Sequence, residues 1–377
     1  MAWPIPVIPE QPSLSPPRYA LWGGVLVVIL IISTLSVLFI GKITAYGQLL
    51  LYGALPGFLI WLCLFGVVLN RYEQSLASVR AWNEETARTK AQWQQWSRTQ
   101  LAVVGNVLLT PEEGGISAVL GPLADIPMYP QKPRPLFGER QSLPVQLTGI
   151  DSQLEQQCPG YRHHLHTVYV LQASTLHRES IISAVFNQWD LLPERVDTLE
   201  QVPVLPHLPQ TSEFNGLILV LCLQHWRYSS PEKASELISA QLLASPAFAH
   251  AQQLPVMAGL GRIMPLTAGK LADDLDMLFD YNCLNKNQMQ HVWLSGEIEN
   301  TPADIALYAD AHQWPLPAKQ LAHLIDLSFG PPGELSFPIS LAMMVEAAHK
   351  TAMDQLVISQ TSRSSGELCL VTSELFS

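Results

Sequence analysis

Two long stretches without a charge constrain this chain more than any other feature. Residues 20–41, ALWGGVLVVILIISTLSVLFIG, and residues 49–69, LLLYGALPGFLIWLCLFGVVL, hold no Asp, Glu, Lys or Arg. About 20 apolar residues at 1.5 Å rise cross a hydrocarbon layer of about 30 Å. Soluble cores rarely hold two consecutive segments this long and this uncharged, so the pair is expected to form a two-helix transmembrane hairpin over 20–70. Pro56 lies inside the second stretch. Membrane helices tolerate proline where neighbouring groups satisfy the freed carbonyl. A cleaved leader is the other reading of the first stretch, but Gly41, Lys42 and Ile43 follow it with no Ala-x-Ala site.

Charge orients the hairpin. Arg18 precedes the first stretch, Arg71, Arg80, Arg88 and Lys90 follow the second, and the short connection holds only Lys42. The positive-inside rule then puts the N-terminus and the bulk of the chain in the cytoplasm. The five cysteines are odd in number and widely spaced, which suits a reducing compartment and no disulfide framework. Composition excludes other classes. Charged residues are 14% against roughly 25% in average soluble proteins, and mean hydropathy is +0.17, so the chain is not wholly disordered. A formal charge of -11 has the wrong sign for phosphate backbones, so no nucleic-acid partner is expected.

The rest of the chain divides by pattern. Residues 1–19 are a proline-rich tail, either solvated or an extended ligand for a partner. Residues 71–98 contain neither Gly nor Pro and read as a juxtamembrane helix, with Tyr72, Leu76, Val79, Trp82, Trp93 and Trp96 at helical spacing. Trp82, Trp93 and Trp96 are candidate partner-binding residues; packing on the chain's own domain is the competing reading. Residues 99–209 form an N-terminal α/β portion with a proline-rich connector at 121–144.

Beyond the connector, strands are expected over 167–172, 217–223, 254–258, 291–294, 324–327, 356–359 and 367–372. The run LILVLCL at 217–223 suits a strand buried on both faces. Helices are expected over 178–189, 270–281 and 338–350. A further helix opens at Ser230-Pro231-Glu232 and is carried by Leu237, Ile238, Leu242 and Leu243. Another is capped by Thr301-Pro302-x-Asp304. Strands alternating with helices predict an α/β sheet covered on both faces.

Residues 210–377 resemble the C-terminal half of a thiolase-fold condensing enzyme, a ketoacyl synthase-like domain. Val292-Trp293-Leu294-Ser295-Gly296-Glu297 followed by Ala303-Asp304-Ile305-Ala306-Leu307-Tyr308 is similar to that family's strand, glycine turn and helix. Phe329-Gly330-Pro331-Pro332-Gly333-Glu334 before Ser340-Leu341-Ala342 resembles its glycine-rich loop entering a small-residue helix. The terminal strand pair resembles its closing hairpin. The resemblance implies a cytoplasmic thiolase-like α/β domain. It also implies a cysteine nucleophile and two histidines, or His and Asn. The histidine positions here hold Ser295/Gly296 and Pro331, and Cys158 precedes Pro159 and Gly160 rather than a strand-to-helix elbow. Members of a catalytic unit fail together, so a pseudoenzyme is expected, with Gly330, Pro331, Pro332 and Gly333 reused as a contact surface.

The chain is also similar to membrane-anchored accessory proteins of bacterial type VI secretion loci, including the lipase-effector adapters. That implies an inner-membrane protein with both termini cytoplasmic and a secreted effector or secretion component as partner. The alternative is a membrane-bound acyl-transfer enzyme, which needs Cys222 or Cys283 beside His225 or His291. No cofactor is expected. Cys158, His163, His164 and His166 are too few on one face for a closed metal site. Gly259-Leu260-Gly261 lacks the third glycine of a dinucleotide loop. Asp273, Asp276 and Asp280 read as a solvated acidic face.

Overall fold

The computed structural model of the 377-residue chain describes all residues except 1–2, 7, 10, 44, 122–125, 127, 129–131, 174–177, 203–204, 206–214, 227–232, 268, 297–299, 318–319, 332, 363–364 and 377. It forms two compact units, one of Pro6–Gln92 and one of Met1–Ile5 with Trp93–Ser377.

In the smaller unit, α1 (Tyr19–Phe39) turns into a helix that begins as α2 (Tyr46–Leu49), passes through a π-helical turn at Leu50–Ala54 and continues as α3 (Leu55–Ser97). Both helices are long and apolar enough to cross a membrane. The π-turn has a cause two residues downstream. Pro56 has no amide to donate and its ring crowds the preceding turn, so the helix widens there. Ser33 Oγ donates to Gly53 O at 2.5 Å. A Cβ on Gly53 would lie 3.1 Å from Thr34 Cα, and one on Gly57 would lie 2.9 Å from Ser33 Cβ. Small residues thus let the two helices approach closely. Trp61 Nε1 donates to Trp22 O at 2.9 Å. A helix over the expected stretch 71–98 is present as the continuation of α3, which ends at Ser97. The proline-rich tail touches it, with Trp82 Nε1 donating to Pro9 O at 3.1 Å and Leu14 N to Ser75 Oγ at 3.4 Å.

The larger unit is built on an 11-stranded sheet. Its elements in chain order are β1 (Leu101–Leu109), α4 (Leu143–Gln157), β2 (Leu165–Gln172), α5 (Arg178–Trp189), β3 (Glu194–Arg195), β4 (Leu217–Gln224), β5 (Leu237–Ala244), α6 (Pro246–Ala251), β6 (Ala258–Leu260), β7 (Met264–Pro265), α7 (Leu271–Asn282), β8 (His291–Gly296), α8 (Thr301–Ala311), β9 (His323–Leu324), α9 (Ile325–Phe329), α10 (Ser336–Thr351), β10 (Gln355–Ser362) and β11 (Ser365–Thr372). The spatial order is β3-β2-β4-β5-β1-β6-β11-β10-β8-β9, with β7 beside β11.

That order contains a duplication. Set β7 aside, and each half runs third, second, fourth, fifth, first. The fifth strand is antiparallel to its neighbours in both, and the third, second and fourth are mutually parallel. The halves join where β1 pairs antiparallel with β6, Leu101 opposite Leu260. The sheet therefore crosses residue 210, with β2 paired to β4.

Three apolar layers cover this sheet. α4 and α5 bury Leu147, Ile150, Leu154, Ile181 and Val185 on one face of the first half. α7 and α8 bury Leu275, Leu278, Phe279 and Ile305 on the second. α10 lies in the third layer, which takes strands from both halves. Residues 336–345 of α10 are all buried, the pattern of a helix enclosed on every side. β4 shows the same logic along a strand. Ile218, Val220 and Cys222 face the α10 layer, and Leu217, Leu219, Leu221 and Leu223 face the other.

Three sequence expectations are corrected. Leu237, Ile238, Leu242 and Leu243 lie on strand β5, not a helix; their expected opening at Ser230-Pro231-Glu232 lies outside the described residues. Every residue of β5 is buried, so the polar alternation that marks a strand is missing. The strand expected at 324–327 is only the short β9, and the chain turns into α9 at Ile325. The strand expected at 254–258 begins at Ala258. β1 and α4 carried no expectation.

Candidate functional site

Ser295 and Gly296, at one of the positions where the family resemblance implies a histidine, lie where β8 ends over the start of α10. Ser295 and Ser359 sit opposite each other on β8 and β10. The Ser295 hydroxyl bonds to that of Ser336, the first residue of α10, and Ser336 Oγ lies 3.4 Å from Ser359 Oγ. Gly296 has φ +89, and a Cβ there would lie 1.9 Å from Gln360 O, so only glycine fits the turn. Its amide donates to Asp326 Oδ2 at 2.9 Å. Burial pushes the Asp326 carboxyl up, against the lowering effect of that amide and of Ser295. Its described residues are a set of buried hydroxyls and one carboxyl, capable of hydrogen bonding.

The loop after α9 is held by the chain itself. Gly330 is buried with φ +78, and a Cβ would lie 2.4 Å from Ser235 Oγ and 2.5 Å from Lys132 O. Pro331 O accepts from Ser235 N at 2.7 Å. Gly333, φ +69, would bring a Cβ to 2.6 Å from Ala234 Cβ. Pro332 lies outside the described residues. Gly333 is exposed and Pro331 half-buried, so this loop shows only part of itself to solvent.

The tryptophans separate by unit. Trp82 belongs to the smaller unit and contacts the tail. Trp93 and Trp96 belong to the larger. The Trp96 ring meets Trp93 edge-on at 5.4 Å and Trp3 at 5.5 Å, and carries the Arg262 guanidinium over its face at 4.1 Å. Arg262 Nε donates to Trp96 O at 2.6 Å. That buried cation, pushed down to about 10 by desolvation, sits at the negative end of α3.

Thiols and imidazoles are distributed elsewhere. Cys222 lies inside β4, where burial pushes its thiol up to about 12. Cys369 is buried in β11 near Gly261 O. Cys283 caps α7, near Asp280 O at 3.7 Å. His291 Nδ1 lies 3.0 Å from His323 Nε2, and His323 stacks on Trp293 at 4.1 Å. His225 Nδ1 lies 2.6 Å from Glu236 Oε1.

The other motifs are structural. His164 meets the Phe248 ring edge-on, and His166 contacts Thr167 Oγ1. Asp276 accepts from the Tyr308 hydroxyl at 2.8 Å. A Cβ on Gly259 would strike Thr372 Oγ1 at 2.5 Å, and Gly261 N donates to Leu370 O. Among the described residues, no three His, Cys, Asp or Glu side chains come together as a metal site.

Sequence reasoning missed a cleft of about 980 Å³ beside the Gly330 loop. Its walls come from the end of β1, the connector at 132–141, the β4–β5 connection and the last turn of α10. Glu236 is buried at its floor, accepting Trp226 N at 2.8 Å and Leu136 N at 3.1 Å. Burial raises that carboxyl, but His225 and these two amides outweigh it and hold it below the usual range. Glu112 pairs with Arg134, and Arg140 Nη2 donates to Trp226 O at 2.9 Å. These residues are far apart in sequence and share no spacing, so no motif announces them.

The fold has known relatives in structure. An oxazolomycin ketosynthase domain of Streptomyces albus superposes with TM-score 0.52 at 12% identity, over 74% of this chain and 96% of that one. A ketosynthase from the bacillaene polyketide synthase of Bacillus amyloliquefaciens gives 0.52 at 10%, over 74% of each chain. A β-ketoacyl synthase from Burkholderia phymatum gives 0.50 at 10%, over 73% of this chain and all of that one. No protein-family model and no curated protein sequence matches the chain. The larger unit thus has the thiolase-like fold of ketosynthases, and that fold extends beyond residues 210–377, to which the sequence resemblance was confined.

Proposed function

We propose that this chain is a non-enzymatic accessory protein. The α1–α3 hairpin anchors it in a bacterial inner membrane, and the thiolase-like unit holds a cytoplasmic protein partner, such as an effector or a type VI secretion component. The observation that carries the reading is the setting of its thiols. Cys222 is desolvated in a strand, Cys369 lies against backbone carbonyls and Cys283 sits at a helix end, while the imidazoles of His225, His291 and His323 meet other partners. A buried thiol at about 12 is almost wholly protonated at pH 7 and is a poor nucleophile. Support for the anchor comes from α1, none of whose residues is buried although Val27, Val28, Ile31, Ile32 and Leu35 lie along it. The secretion-locus part rests on the sequence resemblance.

The test is a pair of measurements, one on purified protein in nanodiscs and one on a fusion in bacterial cells. Acyl-thioester probes should show no turnover above buffer, and a C-terminal fluorescent-protein fusion should fluoresce in the cytoplasm while fractionating with inner membranes. Turnover abolished by Cys222→Ala or Cys283→Ala would instead establish a membrane-bound acyl-transfer enzyme.

A further inference from the structure

Met1–Ile5 belong to the larger unit, although the chain enters the smaller one at Pro6. Trp3 is 6% exposed and lies in the apolar layer of Met264, Leu275 and Phe279, and Ile5 is half-buried against the same layer. Trp3 Nε1 donates to Ile263 O at 3.3 Å, and its ring stands at 87° to the Trp96 ring. The indole therefore has an apolar seat, an aromatic wall and an acceptor for its one polar hydrogen, which is what a buried tryptophan needs.

The seat is built without Trp3. The Trp96 ring is fixed by the Arg262 guanidinium over its face and by Trp93 at its edge, and Arg262 Nε bonds to Trp96 O. Ile263 precedes Met264 of β7, which pairs with Leu368 of β11. The segment that carries Trp3 is held differently. Among the described residues from Pro4 to Arg18, none is in a helix or strand, and all are exposed except the half-buried Ile5, Ile8 and Pro17. Pro9 and Leu14 make one hydrogen bond each within the smaller unit. Pro4, Pro6, Pro9, Pro12, Pro16 and Pro17 keep the stretch extended whether docked or free. A preformed pocket thus holds a short segment chiefly through one side chain, the arrangement of a ligand rather than of a core element.

We propose that Trp3 is a removable plug. When residues 3–5 lift away, the larger unit presents an indole-binding pocket at Trp96 and Ile263 O, which takes a tryptophan from an extended segment of the protein partner. The plug shows the chemistry of that occupant. It brings an indole N–H to the Ile263 carbonyl, and the proline next to it holds the peptide extended and has no amide to desolvate. The inference rests on the partner-holding role proposed above and names the feature by which the partner is held.

The test titrates full-length Trp3→Ala protein in nanodiscs with a blocked Ala-Trp-Pro-Ile-Pro peptide carrying fluorotryptophan, read by fluorine NMR. Saturable binding is expected, and wild-type protein should bind at least about tenfold more weakly, because its tethered Trp3 competes at a high effective concentration. The same peptide with leucine in place of tryptophan, fluorinated on that leucine, should not bind. Should Trp3→Ala melt early, excess peptide should still displace Trp3 from wild-type protein fluorinated at that residue alone, seen as a second resonance. No saturable binding to Trp3→Ala and no displacement from the wild type, equal affinity for the two proteins, or equal binding of the leucine peptide overturns the proposal. The peptide reads the pocket alone, and thioester turnover and cell fractionation read the accessory role, so each fails without the other.

Discussion

Strands β1 to β5 and strands β6, β8, β9, β10 and β11 repeat one spatial order, and their first two crossovers match. α4 and α7 each connect first strand to second, and α5 and α8 each connect second to third. In the second half the third crossover is α9 and α10, with α10 buried between the layers. In the first half the described residues of 196–216 include one 3-10 turn, Leu199–Gln201. Val196, Leu199, Val202 and Leu205 join Ile116 and Val119 in the layer that holds α10. The comparison teaches that the repeat is kept in the strand order and in the first two crossovers, and that the two halves meet in one apolar layer.

The largest expected effect tests which half depends on the shared layer. Met344→Ala, in the buried middle of α10, should destabilise the larger unit by about 2–5 kcal/mol, because enclosed surroundings cannot collapse into the cavity. Leu199→Ala should fall at the low end of that range, since a short turn can shift to fill it. Chemical denaturation of the two variants measures this. Equal losses would mean that the surroundings of Leu199 are as rigid as the helix.

Acid should separate the halves. Burial, then the neighbouring His291, pushes His323 down to about 4, below its ordinary 6.5. Its contribution to stability is then present above about pH 6.5 and lost as pH falls toward 4, by something on the order of 1–3 kcal/mol. Glu367 in β11 works the other way. Burial and Glu200 push it up to about 7, so it penalises the folded state at high pH, and the penalty fades as pH falls toward 4.5. The first half carries Asp151 and Glu236, both held low, whose contributions are lost only below about pH 4. Melts of His323→Phe and Glu367→Gln across pH 4–8 resolve the two signs. His323→Phe should flatten the loss between 6.5 and 4, and Glu367→Gln should gain most at pH 8. A wild-type-like profile in either would remove that residue from the account.

The smallest effect compares matched hydrogen bonds. Each half ties its outer helices with a tyrosine and an aspartate. Tyr161 bonds Asp151 of α4 and accepts from Trp189 Nε1 of α5 at 2.6 Å, and Tyr308 of α8 bonds Asp276 of α7. Tyr161→Phe orphans a buried indole and should cost about 1–3 kcal/mol. Tyr308→Phe should cost about 0.5–1.5 kcal/mol, because the Asp276 side chain is 56% exposed and water replaces the bond. Urea midpoints rank the two. The reverse order would mean that the second half's outer layer is the tighter.

Much of this was legible beforehand, for physical reasons that apply residue by residue. The continuous LILVLCL run is β4, because burial on both faces calls for an unbroken apolar run, and the stripe from Ile181 to Trp189 is α5, because burial on one face leaves a helical period. Leu237 to Leu243 misled for the same reason: a strand covered on both sides carries no period, and its leucines satisfy a helical spacing equally well. Trp96 was legible as a member of a helical stripe but its contacts were not, since Trp3 and Arg262 lie far from it in the sequence.

The sequence by itself determined the two long uncharged helices and the alternation of strand and helix, because those depend on local composition and period. Its resemblance in two glycine turns also pointed to the thiolase-like fold. Only the tertiary structure decided that both halves contribute to the layer holding α10, that Ser295, Ser336 and Ser359 converge, and that Gln146, Glu236 and Glu346 line one cleft. Those outcomes rest on pairings across long sequence separations, such as β1 with β6, which no local pattern encodes.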